Sequence, residues 1–152
     1  MKIKSFRGLM VDGSIDTIPL HTNDGSIGYR IVKFRLMGFE PGGDNYESIV
    51  KIYMIPQTTA TASIDFSDNT MAAAGFFTGD TTQQTMKEDS IIFDNQIFNQ
   101  DIFVTYNDLQ GSDAKINYYI ELEQVKLDMN ENTVATLKDI RNITGQWVNN
   151  IL

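Results

Sequence analysis

The stretch Ile91–Leu127, IIFDNQIFNQDIFVTYNDLQGSDAKINYYIELEQVKL, decides the fold class. It holds two strand-like runs joined by the turn Gly111-Ser112-Asp113. In the second run Ile116, Tyr118, Ile120 and Leu122 alternate with Asn117, Tyr119, Glu121 and Glu123. A strand turns successive side chains to opposite faces, so this run has one apolar and one polar face. Such a strand belongs to an antiparallel sheet that covers a core on one side and meets water on the other.

Runs of the same kind recur along the chain, with Gly, Asn, Asp, Ser or Pro between them. The pattern predicts strands over Ile3–Val11, Ser14–His21, Ile27–Phe39, Tyr46–Ile55, Thr70–Thr78, Ser90–Asp94, Ile97–Asn107 and Lys115–Leu127. Gln57–Ser63 reads as a loop or a lone edge strand, and Gly79–Asp89 as a Thr/Gln-rich loop. The small residues Ala72, Ala73, Ala74 and Gly75 predict close packing against a neighbouring element. No strand–helix–strand alternation is present. Eight or nine short strands at this spacing predict an all-β protein, an antiparallel β-sandwich of jelly-roll type.

Two runs change phase. In Ile27–Phe39 the apolar set Ile27, Tyr29, Ile31 passes to Val32, Phe34, Leu36. In the last strand the set ending at Leu122 passes to Val125 and Leu127. One inserted residue would do this, because it moves every later side chain to the other face. Burial of both faces would do it as well.

The division of the chain follows from composition. Residues 1–128 carry the strand pattern and form one sandwich domain. Residues 129–152 differ: Asp128 or Asn130 can cap a helix, and Val134, Leu137 and Ile140 follow at helical spacing until Gly145. The tail beyond includes Trp147, Val148, Ile151 and Leu152. A short helix is marginal by itself. Val134, Leu137, Ile140, Trp147, Val148, Ile151 and Leu152 are therefore the expected docking or oligomerisation element.

Bulk properties exclude several classes of function. The 152 residues suffice for one domain with a core. A net charge of −8, from 20 acidic against 12 basic residues, repels phosphate backbones and argues against direct nucleic-acid binding. No apolar run approaches a membrane span, and the opening MKIKSFRGLMVDG is too broken to read as a cleaved signal peptide. The absence of cysteine removes disulfides, thiolate nucleophiles and Cys metal sites.

Candidate chemistry is sparse. His21 is the sole histidine and sits beside the turn Asn23-Asp24-Gly25, so it reads as a surface residue. Asp65–Asn69 and Asp108–Asp113 offer oxygens that calcium could use, but both lack the EF-hand pattern and both suit ordinary turns. Glu121 and Glu123 share one strand face, about 7 Å apart by strand rise, which a glycosidase could use; a solvated face is the simpler reading. No catalytic residue, metal ligand or cofactor site is assigned.

The segments Ile64–Thr70, Ile92–Asn95, Asn99–Thr105, Ile116–Glu123 and Thr136–Arg141 resemble a group of small phage structural proteins, notably from marine phages. The resemblance runs from about Met1 to Arg141. It implies a virion component with a jelly-roll-like sandwich on or in the capsid shell, assembled in the host cytoplasm, and it carries no catalytic residues. The expected function is a non-enzymatic capsid decoration or minor capsid subunit. Its partners would be the major capsid protein or other virion proteins, bound as a symmetric homo-oligomer such as a trimer. The alternative is a glycan- or receptor-binding module of lectin type, using the loops Asn23–Ser26, Thr78–Glu88 and Asp108–Asp113. A depolymerase using Glu121 and Glu123 is the third reading.

Overall fold

A computed structural model describes residues 2–93, 96–111 and 113–128. They form eight strands: β1 (Lys2–Met10), β2 (Ile15–Ile18), β3 (Ile27–Gly38), β4 (Tyr46–Tyr53), β5 (Met71–Asp80), β6 (Thr85–Ile92), β7 (Ile102–Asp108) and β8 (Ile116–Lys126). A three-stranded sheet runs β1-β8-β3 and a five-stranded sheet runs β2-β7-β4-β5-β6. All pairings are antiparallel. The predicted helix over Val134, Leu137 and Ile140, and the tail with Trp147, Val148, Ile151 and Leu152, lie outside the described residues.

The pairings nest. β1 lies beside β8, β2 beside β7 and β4 beside β5. This is one long ribbon folded at the β4–β5 connection and coiled into two layers, the jelly-roll order. The remaining nested pair, β3 with β6, is split between the sheets. Side chains close that seam in place of a ladder. Glu88 of β6 accepts a hydrogen bond from the Leu36 backbone N–H at 2.7 Å, and Ser90 Oγ donates to the Phe34 carbonyl at 3.0 Å. Arg35 Nε also donates to Glu88, at 2.8 Å. The open edge of β3 is thus satisfied by its neighbour's side chains. Replacing Glu88 by alanine strands the Leu36 N–H and should destabilise the fold by about 1–3 kcal/mol. Faster amide exchange at Leu36, read by NMR, is the specific check; unchanged exchange there would remove this account of the seam.

The core lies between the layers. Phe34, Leu36, Ile120, Leu122, Ile116 and Met10 from one sheet meet Val50, Ile52, Ala73, Val104 and Ile102 from the other. The strip Ala72–Gly75 behaves as its small side chains predict. A methyl placed on Gly75 would lie 3.1 Å from Phe34 Cε2 and 3.2 Å from Leu36 Cδ1, so these side chains already fill the gap. At the end of β3, Gly38 leaves a slot for the Tyr46 ring; a methyl there would stand 2.6 Å from Tyr46 Cζ.

The phase change in β3 is a bulge. Register with β8 shifts between Ile31 and Lys33, and Val32 is the extra residue. The consequence differs from the expectation that the later side chains change faces. Val32 is exposed, while Tyr29, Ile31, Phe34 and Leu36 all stay buried. The insertion keeps one continuous inner face, and β3 stays in one sheet. In β8 there is no insertion beyond Leu122: Gln124, Val125 and Lys126 pair in regular register with Tyr29, Gly28 and Ile27. The apolar residues simply change sides there.

Three boundaries differ from the sequence reading. β2 ends at Ile18 because Pro19 has no N–H to give the ladder. β7 starts at Ile102 because the Asp101 carboxylate turns away to accept the Leu20 and His21 backbone N–H groups, at 2.8 and 3.1 Å. Residues 85–89, expected in a loop, are strand. Met86, Glu88, Ser90 and Ile92 of β6 are the half-buried positions, alternating with exposed Thr85, Lys87, Asp89 and Ile91. Two of the inward positions are polar because they serve the seam, and this hides the alternation.

Candidate functional site

Every strand of a two-layer sandwich has an outward face, and here both broad faces carry exposed apolar groups. On the three-stranded sheet, β8 is central, and its register fixes who stands beside whom. Leu9, Asn117 and Met37 form one row, Arg7, Tyr119 and Arg35 the next, then Ser5, Glu121 and Lys33, then Ile3, Glu123 and Arg30. Directly opposed residues share a face. Beyond the first row lie Val11 and Phe39, whose N–H bonds the Lys115 carbonyl. Leu9, Val11, Met37 and Phe39 are all exposed, Met37 at 62%. Leu9 and Met37 line a shallow groove of about 700 Å³ together with Arg7, Lys33, Arg35 and Tyr119.

This face is basic in an acidic chain. Arg7, Arg30, Lys33, Arg35 and Lys115 stand on it, against Glu121 and Glu123. Arg30 pairs with Glu123 at 2.6 Å and Arg35 with Glu88 at 2.8 Å. Lys33 lies 6.0 Å from the Tyr119 ring centre and Lys115 lies 5.3 Å from that of Phe39. Among the described residues Arg7, Lys33 and Lys115 have no carboxylate partner.

The five-stranded sheet has a different exterior. The β4–β5 connection, 54–70, lies over it, pinned by Lys51. That side chain is fully buried on the outer side of β4. Its ammonium donates to Thr61 Oγ1 at 2.7 Å and the Ser63 carbonyl at 2.6 Å. Burial pushes the Lys51 amine below its ordinary value, and the nearby Asp68 charge partly restores it. Lys51→Ala should release the connection and reduce stability by about 2–3 kcal/mol. Limited proteolysis of 55–64 tests this: resistance equal to that of the parent chain would refute the pinning role.

Where that connection meets β6 there is a second groove, of about 240 Å³, lined by Ile64, Phe66, Phe76, Asp89 and Ile91. Phe66 is 62% exposed and meets Phe93 edge to face at 5.2 Å. Asp65 precedes Phe66, and Asp89 lies on the groove wall. Hydrogen bonds from the Ser67 hydroxyl and N–H hold the Asp65 carboxyl below the ordinary carboxylate range, so it is ionised at neutral pH.

The residues singled out for chemistry have local duties. His21 Nδ1 lies 2.7 Å from Asp101 Oδ1, with the ring largely exposed. Burial raises the Asp101 carboxyl, but bonds from the His21 ring and from the Leu20 and His21 N–H groups outweigh it, leaving it lowered. Asp65 caps Ser67 and Asp68 caps Thr70, each through both the N–H and the hydroxyl. Asp108 Oδ1 accepts from the Glu47 and Gln110 N–H groups. Among the described residues no three His, Asp or Glu groups stand together as a metal site. Glu123 is held by Arg30, and Glu121 accepts the Tyr119 hydroxyl at 2.6 Å. That contact, ahead of burial and the Glu121 charge, raises the Tyr119 hydroxyl. The expected docking residues Val134, Leu137, Ile140, Trp147, Val148, Ile151 and Leu152 are beyond the described residues.

Sequence reasoning missed both grooves. A signal for the first was present: Ile3, Leu9 and Val11 share the odd positions with Arg7, and Met37 and Phe39 share them with Lys33 and Arg35. The second is built by a connection folding onto a distant strand, and no local pattern encodes that. No family model matches the sequence, and no curated protein matches it.

Proposed function

We propose that this chain is a non-enzymatic structural subunit of a virion, a capsid decoration or minor capsid protein present in many copies on a phage shell. The observation that supports it most is the exposure of large apolar side chains on both broad faces of one small sandwich. Monomeric proteins rarely leave such patches uncovered, so these faces mark interaction surfaces. Coiled two-layer ribbons of this order serve viral shells as well as lectins. The resemblance of Ile64–Thr70, Asn99–Thr105 and Ile116–Glu123 to small phage structural proteins favours the shell.

In this reading the segment 129–152 anchors the subunit to the major capsid protein through Val134, Leu137, Ile140, Trp147, Val148, Ile151 and Leu152. The test is incorporation. Particles assembled with the full chain should carry it in a fixed ratio to the major shell protein, and deletion of Gln146–Leu152 should abolish or sharply reduce that ratio. Purified particles that lack the full chain would end the virion reading; full incorporation of the truncated chain would end the anchoring role.

A second reading, a glycan- or receptor-binding module, draws on the groove over Tyr119, where an aromatic residue stands between Arg7 and Arg35. Binding on a glycan array that is lost in Tyr119→Ala would favour it. Silence across a broad array would dismiss it.

A further inference from the structure

The two outer faces complement each other in both shape and charge. The three-stranded sheet presents protruding apolar side chains, Met37 and Phe39, beside the cations Arg7 and Lys33. The five-stranded sheet presents an apolar slot between Phe66 and Ile91, with the anion Asp89 on its wall and Asp65 next to Phe66 in the chain. The slot's volume of about 240 Å³ suits one thioether or aromatic side chain. Lys87, exposed on β6, and the buried Lys51 are the basic groups on that face among the described residues.

We infer that the partner for each face is the opposite face of a second copy. Met37 of one subunit enters the Phe66/Ile91 groove of the next and Phe39 packs at its rim, with Arg7 and Lys33 set against Asp65 and Asp89.

Like faces cannot pair as well. Two three-stranded faces together would crowd Arg7, Lys33 and Lys115 of both copies onto faces whose carboxylates Glu88, Glu121 and Glu123 are already engaged. Two five-stranded faces would oppose Asp65 and Asp89 in the same way. Like charges brought together disfavour the wrong pairing. The contact is therefore head to tail. Head-to-tail contacts close into a ring when the rotation between copies permits, and otherwise run on as a filament. The inference deepens the proposed function, which supplies the need for many copies. It is measured on the isolated full-length chain, so its outcome is separate from that of particle incorporation.

The test uses two variants with exposed substitutions: Met37→Asp with Phe39→Asp, and Phe66→Lys with Ile91→Lys. Sedimentation velocity of the parent chain should show species larger than a dimer as concentration rises, weakening with added salt. Each variant alone should self-associate at least about tenfold more weakly, because each has one ruined face. Mixed in equal amounts, the two should recover association but stop at a dimer, since one intact head meets one intact tail. Circular dichroism melts confirm that both variants are folded. Should either fail to fold, Arg7→Glu with Lys33→Glu and Asp65→Lys with Asp89→Lys replace them in the same scheme. A parent chain that stays monomeric to near-millimolar concentration would overturn the inference. So would variants that associate like the parent, the result expected if 129–152 drives assembly, or a mixture that remains monomeric while the parent associates.

Discussion

Replacing Phe34 by alanine is expected to remove about 3–5 kcal/mol of stability, a large share of the roughly 5–15 kcal/mol that holds a domain folded. The ring is buried at the centre of β3, two residues beyond the bulged Val32, and it lies over Gly75 of the opposite sheet. Gly75 has no side chain to move into the space. Its neighbours Ala73 and Ala74 cannot reach it either. The cavity would therefore stay largely open, which is the condition for a cost at the upper end of the range. Phe34→Leu should lose far less, because the volume is mostly kept. Urea unfolding of both variants tests this. A loss below about 1 kcal/mol in Phe34→Ala would mean the sheets collapse onto the gap, contrary to the account of close packing at the Ala72–Gly75 strip.

The second large effect is alkaline unfolding. Tyr106 and Tyr118 are buried between the layers. Burial is the leading reason both hydroxyls are pushed well above their ordinary value. For Tyr106 the Ser48 hydrogen bond opposes it and the Asp108 charge adds to it; for Tyr118 the charge of Asp16 adds to it. Tyr118 donates to Asp16 Oδ2 across the sandwich at 3.1 Å, and Tyr106 donates to the Ala114 carbonyl. Ionisation would break these bonds. The folded pKa is raised, so the unfolded chain releases its tyrosine protons first, from about pH 10. The stability these groups contribute is complete below that value and falls as pH rises beyond it. Each group's cost approaches about 1.4 kcal/mol per pH unit well above that value and is about 1 kcal/mol across the first unit, so the pair removes about 2 kcal/mol between pH 10 and 11. Tyr46 and Tyr53, raised mainly by burial, add to the effect. Lys51 acts in the other direction, because its folded value is lowered. Urea midpoints at pH 9, 10 and 11 with tyrosinate absorbance at 295 nm give the check. Level midpoints, or tyrosines that ionise near pH 10 before unfolding, would show the hydroxyls to be wet.

Much of the fold is legible in the sequence where side-chain alternation and environment agree. β8 is the plainest case: Ile116, Tyr118, Ile120 and Leu122 are apolar and buried in the same rhythm. β6 is the reverse. Its inward Glu88 and Ser90 are polar because they satisfy the backbone of β3, so the strand reads as a loop until β3 is beside it. Lys51 misleads in another way, since a lysine amid an apolar strand suggests a solvent-facing position, yet a distant connection covers it. The exposed apolar faces were legible in part. The odd-numbered apolar residues of β1 and β3 announce a second greasy face, but its partner groove joins Phe66 to Ile91 through tertiary contact alone. The docking element expected from the sequence lies in 129–152, and of the two described faces only the first carries a local signal.

The nested ribbon also governs the order of events on a ribosome. β1 leaves the exit tunnel first, but its hydrogen-bonding neighbour is β8, so Lys2 must wait for Gln124. β3 waits for the same strand. The three-stranded sheet has no centre until almost all of the described chain has been made, whereas β4, β5 and β6 can pair as soon as they emerge. Synthesis therefore leaves two strand edges bare for most of its duration, and distant pairing of this sort is slow and open to aggregation. A chaperone that shields β1 and β3 in that interval would raise the yield of native protein more than one acting after release.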